Sequence, residues 1–461
     1  MASRTPRPAR FLALWAAGLL ASLAGIAAFD AVVDPYDLFD MPRIAGLNRF
    51  KPRAEDHTEM IKAYQALRLH PRTVLLGTSR VDIGLDPDSP IWPAQARPVY
   101  DYGVPLASVR MIGLHLRHIA AASQPKTVLI GLEFENFLGP DRADGADVRR
   151  LLRGRAVHAP VARWEQKLSD AFLSTMTLAA FRDSLATVAA QHTGDRGNLS
   201  EDGSTSDAAL RQLGREDGAY ELFRAKDSVL SQQDLRLASA VPEGGYNHDA
   251  MADLRDMLAF CQRRHIRVVL AIMPYHADVL ELLHRVGVWP DFERWKRDLA
   301  ALAASETDPA DPDRVRLWDF SGYDRYATEP VPAPGDRRTA MRWWLEPSHF
   351  SKPLGEMILQ RVFGTGSPDF GIELTPADVG QRIAAVRLER AVFLASHPGQ
   401  VSRLDAFLST ARPGVSPPKP ELVARQAGPG RADPPSDRPE LGAPPDGQAD
   451  IPASATRSPL P

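Results

Sequence analysis

A small set of residues has the types and placement needed for acyl chemistry. Ser79 lies in Leu76-Gly77-Thr78-Ser79-Arg80, just past the apolar run Thr73-Val74-Leu75-Leu76-Gly77. An isolated hydroxyl is a weak nucleophile at neutral pH and needs an adjacent base. His349, in Glu346-Pro347-Ser348-His349-Phe350, is the candidate to take that proton and return it to a leaving oxygen. A carboxylate must then fix the imidazole tautomer and stabilise the imidazolium. Glu346 shares a short segment with His349, and Asp319 is the reserve for this role. Backbone N–H groups at Ser79 and Gly103 are candidates to face a developing oxyanion. Arg80, Glu133, Asn136, His276 and Trp344 complete the candidate oxyanion or substrate-binding set. Each residue also has an ordinary reading: Ser79 as a helix cap, Gly103 as a positive-φ residue, His276 as a rim residue, Trp343 and Trp344 as core or interface.

These residues are far apart in the chain, so a scaffold must gather them. Strand signals fall at Thr73–Gly77, 98–102, Thr127–Leu132, 268–273 and 315–320, and the first and third echo each other as PRTVLLG and PKTVLIG. Such unbroken apolar runs suit a parallel sheet covered on both faces. Between them, Val109, Ile112, Leu116 and Ile119 form an apolar helical stripe, as do Met251, Leu254, Leu258 and Cys261. Further helices are expected at 55–69 and at 352–363. Alternating strands and helices predict an α/β fold with a doubly wound, mostly parallel sheet, whose ligands sit at the carboxyl ends of the strands. Ser79, Gly103, Glu133, His276 and Asp319 all fall at such ends.

With these blocks in place, the sequence resembles the SGNH/GDSL hydrolase superfamily over about 74–363, the insertion excepted. It is most similar to the extracytoplasmic branch that includes alginate O-acetylation proteins and the teichoic-acid D-alanyl transfer protein. The resemblance matches Leu76-Gly77-Thr78-Ser79 to the nucleophile block, Gly103 to the second-block glycine, and Glu346-Pro347-Ser348-His349 to the terminal Asp-x-x-His element. Two positions depart from the pattern. Glu346 stands where the family usually has Asp, and Gly131-Leu132-Glu133 puts a carboxylate where the family offers an asparagine donor. An ionised carboxylate accepts hydrogen bonds without donating them, so Arg80 is expected to neutralise Glu133, or Asn136 to take over as donor.

The ends of the chain have a different character. Arg4, Arg7 and Arg10 precede an uncharged run from Phe11 to Phe29, which just reaches the roughly 20 residues needed to span a bilayer. This pattern predicts a cytoplasmic stub at 1–10 and a signal anchor at 11–33, with the body exported across a bacterial inner membrane. A cleaved signal peptide is the rival, and it also exports the body. The body, 34–364, is expected to carry a mostly helical insertion at about 137–245. A small helical extension follows at 365–410, then a Pro-rich disordered tail at 411–461.

Composition narrows the function. With 55 Lys and Arg against 58 Asp and Glu, the net charge is −3 and nothing predicts a nucleic-acid partner. A single cysteine, Cys261, rules out an intrachain disulfide. Metal-dependent phosphoester hydrolysis through Asp319, His276, Glu133 and His349 is disfavoured because these residues form no tight ligand cluster, and no cofactor is expected. The resemblance implies O-acyl transfer or deacylation, with acetyl as the acyl group, on a cell-envelope or exported polysaccharide. It also implies a membrane-embedded acyl-delivery protein as partner. The alternative is a catalytically inactive glycan-binding or scaffold protein of the envelope.

Overall fold

The computed structural model describes residues 7–139, 151, 160–193, 197, 199–240, 245–307, 310–311, 313–364, 366–367 and 369–410. The tail expected at 411–461 and residues 1–6 of the N-terminal stub lie outside these residues.

The chain opens with α1 (Arg7–Val33), a helix long and apolar enough to cross a membrane. Next come α2 (Thr58–Leu69), β1 (Thr73–Gly77), α3 (Ser79–Gly84), β2 (Val99–Gly103), α4 (Val109–Ala122) and β3 (Thr127–Leu132). The inserted region supplies α5 (Pro160–Thr175), α6 (Leu178–Thr193), α7 (Ala208–Asp217) and α8 (Ala219–Ala240). Alternation resumes with α9 (His248–Arg263), β4 (Arg267–Ile272), α10 (Ala277–Arg285), α11 (Trp289–Ser305) and β5 (Val315–Asp319). The chain then forms β6 (Trp344–Glu346), β7 (His349–Phe350), α12 (Lys352–Phe363), β8 (Ile372–Glu373), α13 (Val379–Ser396) and α14 (Pro398–Thr410).

Six strands form one mixed sheet in the order β2-β1-β3-β4-β5-β8. The first five are parallel, and β8 pairs antiparallel to β5 at the edge. Because side chains alternate along a strand, Val74, Leu76, Val128, Ile130, Val268 and Leu270 enter one core with residues of α4, α9 and α11. Leu75, Leu129, Val269 and Ala271 enter a second core on the opposite face, with Leu354, Ile358 and Leu359 of α12. This two-sided burial is why the strands read as continuous apolar runs rather than as alternation.

Two features were not expected from the sequence. The segment before α12 contains the antiparallel pair β6–β7, and the region 365–410 adds β8 to the sheet while Ile383, Val386 and Phe393 of α13 join the first core. These three strands are two or three residues long, too short to show a period.

Two glycines allow unusually close packing near the sheet rim. A Cβ on Gly103 would meet the Asp82 amide nitrogen at 2.5 Å and the Thr78 carbonyl oxygen at 2.8 Å. A Cβ on Gly355, in α12, would meet the Gly84 carbonyl oxygen at 1.8 Å. Gly103 is therefore required by the approach of α3 to β2, and not by a positive φ. Gly355 in turn lets α12 lie directly against the end of α3.

Candidate active site

The sheet order reverses direction at β1 and β3, which opens a crevice beyond their carboxyl ends. Thr78 leaves β1 and caps α3, its hydroxyl oxygen accepting from the Arg80 N–H at 3.3 Å. The same hydroxyl donates to the Glu133 carboxylate at the end of β3. Ser79 is thereby held as the first residue of α3, half-buried at the rim. The Val81 and Asp82 N–H groups donate to the Thr78 carbonyl. With Arg80 also taken by Thr78, Ser79 carries the first-turn N–H without an acceptor among the described hydrogen bonds.

His349 arrives from the other end of the chain on the β6–β7 hairpin. Trp344 pairs with Phe350 and Glu346 with His349, so the turn at Pro347 and Ser348 sets the last two side by side. The Trp344 indole donates to the Tyr326 carbonyl at 2.7 Å, and the Ser351 N–H donates to the Trp343 carbonyl at 2.8 Å. A β-turn, rather than the loop or opening helical turn suggested by three-residue spacing, gives Glu346 and His349 their geometry.

Three side chains form one hydrogen-bonded series. Ser79 Oγ lies 2.7 Å from His349 Nε2, and His349 Nδ1 is hydrogen-bonded to Glu346 Oε1. Glu346 is buried, and its carboxylate also accepts from the Ser348 N–H at 3.0 Å and the Ser348 hydroxyl at 2.7 Å. Lys226 of α8 brings its ammonium to 4.0 Å from the same carboxylate. Burial opposes the charge on Glu346, but Lys226, His349 and the Ser348 N–H together hold its acid well below the usual carboxylate range. An ionised carboxylate on Nδ1 leaves Nε2 to accept the serine proton, the arrangement required for general-base activation of an alcohol.

The other candidates occupy defined positions. Asp319, at the end of β5, accepts from Lys296 at 2.9 Å and from the Ser321 hydroxyl at 2.6 Å, with Arg382 3.6 Å away. Burial raises its acid and these cations lower it further, with a net depression. Asp319 thus anchors β5 to α11 and α13, while Glu346 holds the position beside His349. The Gly103 N–H donates to Asp101 at 2.6 Å, so it is already engaged rather than directed at an oxyanion. Asn136 donates its amide to the Ala107 carbonyl at 2.7 Å. His276 is buried as the cap of α10, accepting from the Asp278 N–H at 3.2 Å. Trp344 is likewise buried, in the second core.

Glu133 and Arg80 form part of a buried polar group below Ser79. Arg80 lies 3.6 Å from Glu133 and 3.2 Å from Glu135, with its guanidinium 4.3 Å from the centre of the Tyr275 ring. Tyr275 donates to Glu135 at 2.8 Å and accepts from the Phe134 N–H at 2.8 Å. Desolvation raises the Glu133 acid, against the pull of Arg80. Arg80 Nη1 is buried and has no hydrogen-bond partner among the described residues.

Thr78, Lys226, Ser348, Glu135 and Tyr275 were not among the residues picked out from sequence. Thr78 and Ser348 adjoin residues that were, and their capping and turn chemistry was readable. Lys226 gives no such signal, because it lies in an inserted helix far from any strand end. A surface recess of about 540 Å³ is lined by Arg325, Tyr326, Arg342, Trp343, Met357 and Ser367; neither Ser79 nor His349 lines it. Among the described residues, no group of three or more His, Cys, Asp or Glu side chains is placed to hold a metal ion. In comparisons with protein-family models, curated proteins and solved structures, nothing matches the chain.

Proposed function

We propose that this chain is a serine-dependent O-acyltransferase or O-deacylase of the SGNH/GDSL type, acting on a cell-envelope or exported polysaccharide. The hydrogen-bonded series Ser79–His349–Glu346 carries this reading. Ser79 Oγ attacks the carbonyl carbon of the acyl donor as its proton passes to His349 Nε2, and Glu346 stabilises the imidazolium. Collapse of the tetrahedral intermediate breaks the ester C–O bond. The proton moves from His349 to the departing alcohol oxygen, leaving an acyl ester on Ser79. A sugar hydroxyl or water, deprotonated by His349, then accepts the acyl group. The Ser79 N–H and the unpartnered Arg80 Nη1 are the donors best suited to the oxyanion.

The apolar helix α1 supports a single-pass location in a bacterial inner membrane, with the body on the periplasmic side. There it would meet a membrane-embedded protein that delivers the acyl group, acetyl in our reading. Full-length protein in detergent, incubated with an activated acetyl ester, should gain one acetyl group on Ser79 by peptide mass spectrometry. Ser79→Ala should gain none. A folded wild-type chain that neither acquires the adduct nor turns over the ester rejects the enzyme reading.

One observation favours a second reading, a glycan-binding or scaffold protein without catalysis. Gly103 and Asn136 give their N–H groups to Asp101 and Ala107, and Glu133 fills the usual asparagine position. Glycan binding and cellular phenotype that are both unchanged in Ser79→Ala would select this reading.

A further inference from the structure

The inserted helices α5 and α6 form a hairpin beside α1, and its tip is apolar and exposed. Ala171 to Phe181, AFLSTMTLAAF, has no charged residue; Arg182 follows it, and before it stand the buried Asp170, which accepts from the Tyr64 hydroxyl, and then Lys167. Leu178 is 84% exposed, Phe172 55% and Leu173 51%, while Leu168 and Met176 are also exposed. A contiguous exposed apolar tip marks an interaction surface.

The packing of the hairpin against α1 fixes which way the tip points. The ring of Phe181 lies 6.0 Å from that of Phe29. Further along α6, Asp183 accepts from the Tyr36 hydroxyl at 2.7 Å and Gln191 donates to the Phe50 carbonyl at 2.9 Å. Rising residue numbers in α6 therefore follow rising residue numbers after α1, and the turn at 176–178 lies on the Phe29 side of these contacts, toward the N-terminal part of α1. Residues 8–25 of α1 are exposed on all sides, and burial against the hairpin begins at Ile26. That bare stretch is about 27 Å long at 1.5 Å per residue, close to the roughly 30 Å of a bilayer's hydrocarbon core. The tip thus stands level with the place where α1 leaves the hydrocarbon.

We infer that the α5–α6 tip is a second membrane contact, inserting Phe172, Leu173, Met176 and Leu178 into the lipid leaflet nearest the body. Lys167 and Arg182 then sit at headgroup depth, where long basic side chains place their charge in the polar zone and their stems along apolar surface. One spanning helix alone permits rotation about its axis and tilting of the body. A second contact removes that freedom and holds the crevice at a set height and orientation over the membrane.

The inference rests on α1 crossing the bilayer, so the experiment reads the two separately. Full-length protein carrying Leu19→Cys, Leu178→Cys or Leu388→Cys is labelled with an environment-sensitive fluorophore and placed in nanodiscs of phosphatidylethanolamine and phosphatidylglycerol. Leu19 reports on α1, and Leu388 is an exposed leucine on α13; the native Cys261 is buried. The labels at 19 and 178 should shift to the blue and lose emission when nitroxide-bearing lipid is included. The label at 388 should respond only to aqueous iodide. Quenching at 19 with an iodide-sensitive, lipid-insensitive label at 178 overturns the inference and leaves α1 spanning. Shielding of 178 from both quenchers assigns the tip to a protein contact and also overturns it. Absence of lipid quenching at 19 removes the spanning helix and the inference with it.

Discussion

Lys226 Nζ stands 4.0 Å from Glu346 Oε1 and joins the inserted helix α8 to the hairpin that carries His349. Against the effect of burial, this ammonium joins the His349 ring and the Ser348 N–H in holding the Glu346 acid below its ordinary range. Replacing it with Met removes that field, so the Glu346 acid rises. A carboxylate that takes a proton more readily supports the imidazolium less well. Lys226→Met is therefore expected to lower ester turnover at neutral pH, whereas Lys226→Arg should keep it near the wild-type value. Equal turnover for Met and wild type, in preparations of matched Tm, would show that Lys226 only fills space.

Glu346 and Asp319 should separate activity from stability. Glu346→Gln nearly preserves the side chain's size but loses one of its two acceptor oxygens and cannot balance an imidazolium, so acyl transfer should fall by about two to four orders of magnitude. Asp319→Asn leaves the buried Lys296 and Arg382 without their carboxylate, and breaking a buried ion pair in this way costs about 3–5 kcal/mol. Its expected signature is a lower Tm with activity per folded molecule almost retained. Melting curves and ester turnover on the same preparations distinguish the two, and the reverse pattern would move the acid role to Asp319.

Gly103→Ala tests the approach of α3 to β2. The added methyl meets backbone atoms of Thr78 and Asp82 on either side of Ser79, and backbone cannot rotate aside as a flexible side chain can. Overpacking of this kind costs about 1–3 kcal/mol. Because the displaced segment carries the serine, acylation should fall further than stability alone explains. The comparison is the rate of Ser79 acetylation measured well below Tm.

Asp101 gives a pH signature unrelated to the chemistry. Burial raises its acid to about 8 despite the nearby Lys62 ammonium, against 3.8 for an unperturbed group. Between these values the folded chain retains a proton that the unfolded chain has released. The stability linked to this group is complete below the unfolded pKa and is lost as pH rises to the folded one, at up to about 1.4 kcal/mol per pH unit. Asp101→Asn cannot ionise, so its Tm should gain on wild type between about pH 5 and pH 8. Parallel Tm curves over that range would contradict the assignment.

Much of the α/β frame was legible because the strands are buried on both faces and show it as apolar runs. The strand ends then named Ser79, Glu133 and Asp319. The pairing of Glu346 with His349 could be proposed from their spacing, but their hairpin could not be read, since a strand of two or three residues has no period. The engagement of Asp319 by Lys296 and Arg382 depends on how α11 and α13 pack, which no local pattern encodes. Lys226 was hidden for a similar reason. An inserted helix reaches the site through its docking on the hairpin and α10, and its sequence advertises a solvated lysine.

The close contact of Gly355 with the Gly84 carbonyl has a consequence for how the protein is made. It presses the helix that begins with Ser79 against the helix that follows His349, two segments separated by 270 residues of chain from one side chain to the other. A ribosome that has released Ser79 must still add nearly all the rest of the body before its base exists. Contacts so distant in sequence also form late, because a large loop has to close first. On the chemistry proposed above, the serine stays an ordinary alcohol until α12 docks, so the chain is synthesised before its hydroxyl becomes reactive. Completion of the fold and onset of reactivity are then a single event, set by two glycines that leave room for it.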